Sequence, residues 1–102
     1  MILVRDVFRL KFGKAREAMA VWKEMGQYAR KAQFGALSMS MLTDLVGPHY
    51  YTLVLESTFE DLAAYERAGQ RLTQDEEWGK RYAQFTPLAE SGHREIFTIV
   101  DM

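Results

Sequence analysis

The order of the hydrophobic patterns constrains this chain more than any other feature: alternating, helical, alternating, alternating, helical, alternating. Residues 2–11, ILVRDVFRLK, alternate as a strand, with Val4, Phe8 and Leu10 on one side and Leu3, Val7 and Arg9 on the other. Neither side is wholly polar, so both faces of this strand are expected to be covered. From Lys14 to Ala32, the residues Ala15, Ala18, Met19, Trp22, Met25 and Ala29 recur at helical spacing and form an amphipathic stripe. Gly35 ends that stretch. ALSMSMLT then sets Leu37, Met39 and Met41 against Ser38 and Ser40, and DLVGPH breaks the pattern with Gly47 and Pro48. YYTLVLES, over 50–57, is rich in the aromatic and branched residues of a strand.

The next helical stretch opens on two capping-box spacings, Ser57 to Glu60 and Thr58 to Asp61, and offers Leu62, Tyr65 and Ala68 to a core. Thr73 to Glu76 repeats the spacing and launches a further helix through Trp78, Tyr82 and Phe85 toward Pro87. Asp75, Glu76 and Glu77 fall in its first turn, where the helix dipole favours negative charge. Gly92 then releases the chain into a last strand, HREIFTIVD. One compact solution fits this order: the α+β, ferredoxin-like split βαβ arrangement. It has a four-stranded antiparallel sheet in the order 4-1-3-2 with the helices together on one face. A chain of 102 residues holds one such domain, 1–102, and no second.

Helices on one face leave the other face bare. Alternation assigns Tyr51, Leu53 and Leu55 to the helix side of the third strand and points Tyr50, Thr52, Val54 and Glu56 away. The last strand carries Phe97 and Ile99 on one side and Ile96 and Val100 on the other. Apolar groups thus fall on the uncovered face, and a second copy stacked sheet to sheet about a two-fold axis would cover them. The expected partner is the chain itself, as a homodimer, with the free edge of the second strand open to higher oligomers.

Three stretches, VFRLKFGKAREAMAVWKEM, LTDLVGPHYYTLVLES and FTPLAESGHREIF, together resemble the NIPSNAP-like branch of the dimeric α+β barrel superfamily, over nearly the whole chain. The resemblance implies a dimer with an internal cavity between its sheets. The wider superfamily includes antibiotic-biosynthesis-type monooxygenases, stress-responsive barrel proteins and haem-degrading enzymes, and the resemblance carries over no catalytic set and no haem-ligating histidine.

Charge and composition exclude several functions. Thirteen Lys and Arg against fourteen Asp and Glu leave a net charge of −1, too balanced for a protein that neutralises many phosphates. With no cysteine there are no disulfides, thiolate nucleophiles or cysteine zinc sites. The N-terminus lacks the basic and apolar regions of a signal peptide, and no segment reaches the roughly 20 apolar residues of a membrane span, so a cytoplasmic location is expected. There is no G-x-S-x-G elbow and no G-x-G-x-x-G loop. Neither metal nor cofactor is expected. The two histidines, His49 and His93, stand two inter-strand steps of about 4.8 Å apart if both stay in register, too far to share one zinc ion.

Ligand-binding candidates are Asp6, Phe8, His49, Tyr50, Thr52, Glu56 and Glu95, expected to project between the two sheets, with His93 at the mouth of the last strand. A carboxylate there is either shifted in pKa for proton transfer or paired with Arg5, Arg9 or Arg94. The expected function is that of a small apolar-ligand binder of unassigned activity. A cofactor-independent monooxygenase or isomerase on a planar aromatic substrate, using Tyr50, His49 and one carboxylate, is the alternative. A third class, an RNA-binding sheet stacking bases on Tyr50 and Phe8, lacks the basic-Gly-aromatic pattern on its third strand.

Overall fold

The computed structural model describes residues 1–102. Its elements are β1 (Ile2–Leu10), α1 (Ala15–Ala32), β2 (Ser38–Thr43), β3 (Thr52–Phe59), α2 (Leu62–Gln74), α3 (Glu76–Phe85), a short turn of 3-10 helix at Thr86–Leu88, and β4 (Ala89–Thr98). The strands form one sheet in the order β2-β3-β1-β4 with every neighbouring pair antiparallel. This is the expected ferredoxin-like order read from its other edge. No helix is long and apolar enough to cross a membrane.

Strand register assigns each residue to a face, because residues directly opposite one another point the same way. Val4 pairs with Ser57 and Ile96, Asp6 with Leu55 and Arg94, and Phe8 with Leu53 and Gly92. Val4, Leu10 and Leu53 are almost wholly buried, so these rows lie under the helices. The opposite rows are Leu3 with Thr58 and Phe97, Arg5 with Glu56 and Glu95, and Val7 with Val54 and His93. They form the bare face.

The core is thin and divided. Leu10, Ala18, Leu53, Phe85 and Leu88 form one cluster, supported by Phe8, Trp22 and Met41. Val4, Phe59 and Ala68 form another, supported by Tyr65 and Ala64. Aromatic rings dominate the first: Phe8 meets Phe85 edge-on at 4.8 Å, and Trp22 meets Phe85 at 5.3 Å and Trp78 at 5.9 Å. Such edge-to-face pairs contribute beyond their buried area.

Several element ends differ from the sequence expectation. β3 runs on to Phe59, because Thr58 pairs with both Leu3 and Ser38 and Phe59 enters the core. α2 is therefore capped not by Ser57 or Thr58 but by Asp61, whose carboxylate accepts from the Ala64 N–H at 2.8 Å. Asp75, not Thr73, caps α3, while the Thr73 hydroxyl donates back to the Gly69 carbonyl within α2. Tyr50 and Tyr51 precede β3, and Tyr51 turns the chain with φ of 59°.

Gly92 lies inside β4 instead of starting it, directly opposite Phe8. A Cβ at this position would come within 2.7 Å of the Phe8 ring, so the glycine lets that ring lie flat over the neighbouring strand. Gly92→Ala is expected to push the ring off Phe85 and cost about 1–3 kcal/mol, read by denaturant unfolding. An unchanged midpoint would show that the ring shifts freely.

Asp75 also ties two helices together. Its carboxylate accepts from the Trp78 N–H at 2.8 Å and from the Tyr28 hydroxyl of α1 at 2.8 Å. The Trp78 N–H first, and then the Tyr28 hydroxyl, hold Asp75 below the usual carboxylate range, and the same contact raises Tyr28. A carboxylate depressed in the folded state stabilises above its unfolded pKa and loses that contribution as pH falls through its folded value. Asp75→Asn is therefore expected to flatten the acid limb of the stability-pH curve below about pH 4. An acid limb identical to wild type would remove Asp75 from that role.

Candidate functional site

Between the two core clusters the helices stand off the sheet and leave a cavity of about 1050 Å³. Val4, Phe59 and Ala68 bound one end, and Phe8, Trp22 and Met41 bound the other. Met39, Leu55, Phe34, Trp78 and Tyr82 complete an aromatic and thioether wall, and 16 of its 30 lining residues are hydrophobic. Small-molecule sites combine an apolar wall with polar groups in this way, and methionine adapts its shape to an occupant.

Each helix turns a glycine to this space: Gly26 from α1, Gly69 from α2 and Gly79 from α3. A methyl group on any of the three would meet no atom within 4 Å. Packing of the protein against itself therefore does not demand glycine there, although each mid-helix glycine costs about 1 kcal/mol relative to alanine. What the glycines do is widen the cavity.

The polar part of the wall centres on Asp6. Arg94, its neighbour across β1 and β4, grips it with a guanidinium fork: Nε donates to Oδ1 at 2.5 Å and Nη2 to Oδ2 at 3.3 Å. The third donor, Nη1, reaches the hydroxyl of Tyr65 on α2, and the guanidinium lies 5.7 Å from the centre of that ring. Pairing with Asp6 raises the pKa of Arg94 above its ordinary value. Asp6, Arg94 and Tyr65 thus bridge sheet and helix at the cavity. The fork fixes the geometry of the bridge. Deeper in, the indole N–H of Trp22 is buried without a hydrogen-bond partner.

The sequence candidates do not gather in one place. Asp6 and Phe8 face the helices, not the bare face, because β1 pairs with β3 in the register Asp6 to Leu55 and Phe8 to Leu53. Thr52, Glu56, Glu95 and His93 share no row with them. On the bare face, Glu56 accepts from Arg5 Nε at 2.7 Å, Glu95 lies 3.5 Å from Arg5 Nη1, and His93 Nε2 lies 3.4 Å from Glu95. The hydrogen bond that Arg5 donates to Glu56 raises the Arg5 pKa. His49 and Tyr50 belong to the exposed loop before β3, Tyr50 being 84% exposed. The two histidines are not level, since His93 pairs with Val7, whose other partner is Val54, well inside β3. The stacking surface of an RNA-binding sheet also loses Phe8 to the core.

Sequence reading missed Tyr65, Trp22, Trp78 and Tyr82 as cavity residues because helical spacing assigned them to the core. A signal that could have found the cavity is the set of glycines inside otherwise good helices, at Gly26, Gly69 and Gly79.

Sheet order, one-sided helices and the space between the layers define a ferredoxin-like α+β protein with a half-open cavity between its sheet and its helices. The chain belongs to the NIPSNAP family, whose model matches residues 5–102. Solved structures share this fold over nearly its full length. An uncharacterized NIPSNAP domain protein from Burkholderia xenovorans is similar at 17% identity and a TM-score of 0.85, covering 98% of this chain and 95% of the other. A NIPSNAP family protein from Agrobacterium tumefaciens reaches 20% identity and 0.85, covering 98% and 93%. A cofactor-independent oxygenase from Streptomyces nogalater follows at 15% identity and 0.75, covering 99% and 94%. At these identities the likeness is one of fold. No curated protein matches the chain.

Proposed function

We propose that this NIPSNAP protein binds a small apolar molecule in the cavity between its sheet and its helices, and does so as a homodimer paired through the bare faces of its sheets. The observation that carries the reading is the cavity of about 1050 Å³, widened by a glycine from each of three helices. A protein with no occupant for such a space gains stability from filling it. The dimer rests on the bare face, where Leu42, 46% exposed, lies beside Val54 and Val7, and Phe97, also 46% exposed, lies beside Leu3. A neutral apolar dye such as N-phenylnaphthylamine tests the cavity directly. Bright, saturable fluorescence is expected with the wild type and its loss with Gly26→Phe, which projects a ring into the space. Equal dye binding by a folded Gly26→Phe would contradict the location.

A second reading is a cofactor-independent oxygenase or isomerase on a planar aromatic substrate. The oxygenase from Streptomyces nogalater shares the fold, and Asp6, Tyr65 and Arg94 stand at the cavity wall. The groups first assigned to it, His49 and Tyr50, lie in the exposed loop. Oxygen uptake on adding an aromatic quinol, abolished by Asp6→Asn, would move the assignment to this reading.

A further inference from the structure

We propose that the occupant of the cavity is an apolar organic acid, its carboxylate held at the mouth by Lys23 and Arg30 of α1 and its body among the rings and methionines inside. The proposal rests on the cavity being a small-molecule site and names the class of molecule.

Charge at the wall carries it. Asp6, Lys23, Arg30 and Arg94 are charged residues of the cavity wall, and Glu56, also on the wall, belongs to a row that points to the bare face. Asp6 is neutralised by Arg94 and Glu56 by Arg5. Lys23 and Arg30 take part in none of the ion pairs of the chain, and Glu24, beside Lys23, is turned to Arg81. The wall is thus left with two uncompensated positive charges and no uncompensated negative one.

Their spacing puts both on one side of the helix. Seven residues are two turns, so Lys23 and Arg30 point the same way about 10 Å apart along α1, with Gln27 between them. Both remain exposed, which places them at the lip of the cavity. An acid that enters with its apolar end first can bury that end and leave its carboxylate half-solvated between the two cations. Such a pose avoids the desolvation cost that defeats a fully buried ion. An amine of the same shape would meet repulsion, and a neutral molecule would gain nothing from the lip.

The test compares acids with their neutral esters. Naphthoate and dodecanoate, each beside its methyl ester, are titrated into the wild type and into the double variant Lys23→Gln with Arg30→Gln. Quenching of Trp22 and Trp78, both on the wall, reports binding. For the wild type, each acid is expected to bind roughly tenfold tighter than its ester, with the advantage shrinking as salt rises. The double variant is expected to lose that advantage while keeping its affinity for the esters, and acetate, which has no apolar body, is expected not to bind. Esters binding as tightly as acids in the wild type, or a double variant that still prefers acids, would overturn the proposal while leaving the cavity as a neutral-ligand site. Failure of acids and esters alike would overturn both.

Discussion

Phe85→Ala is expected to lower the unfolding free energy by about 3–5 kcal/mol, the largest loss from any single substitution in this chain. Phe85 is fully buried and meets Phe8, Trp22 and Tyr82 at ring-centre distances of 4.8, 5.3 and 6.0 Å. It joins α3 to both α1 and the centre of the sheet, so its removal leaves a void that three elements would have to move to fill. Only 11 of 102 residues are buried, and the other cluster, Val4, Phe59 and Ala68, lies apart from this one. Against a typical total of about 5–15 kcal/mol, such a loss brings the protein close to unfolding at ambient temperature. Phe85→Leu, which keeps most of the volume, is expected to lose less than half as much and keeps the comparison measurable if the alanine variant fails to accumulate. Chemical denaturation at one fixed protein concentration is the measurement, because association would add to stability by mass action. Equal losses for the two variants would mean that ring packing is not what holds this end of the core.

Val54→Glu is expected to convert the proposed dimer to a monomer without unfolding it. Val54 sits at the middle of the bare face, in a row with Leu42, Val7 and His93. In a sheet-to-sheet pair the added carboxylate would be desolvated in both copies, since a two-fold axis repeats every change. With a cost of about 3 kcal/mol or more, the dissociation constant rises at least roughly a hundredfold. Sedimentation across a range of concentrations reads the change, and an unaltered helical circular dichroism spectrum shows that the fold survives. A variant that remains dimeric would show that association uses another surface, such as the free edge of β2.

Much of the fold could be read from periodicity because each element carries its own signal. Leu53 and Val54 took the faces that alternation assigned, and the sheet order followed from the number and sequence of elements. The faces of Asp6 and Phe8 were harder. Alternation groups residues within β1, but which group meets Thr52 and Glu56 depends on pairing register, and a shift of one residue exchanges the faces. The observed register puts Asp6 opposite Leu55 and Arg5 opposite Glu56. Arg94 could be named in advance as a partner for a carboxylate, whereas Tyr65, the third member of that bridge, came to it only through the packing of α2. The cavity was less legible still, since it is set by how far three helices stand from the sheet. Its trace in the sequence was the cost of placing glycine inside each helix.

The most direct test of the ligand-binding account is native mass spectrometry on protein purified without added ligand, with a denatured control. The account predicts a dimer carrying an extra small mass per chain that is lost on denaturation and in Gly26→Phe. Empty wild-type protein that also takes up none of the dye, the acids or the esters would contradict it.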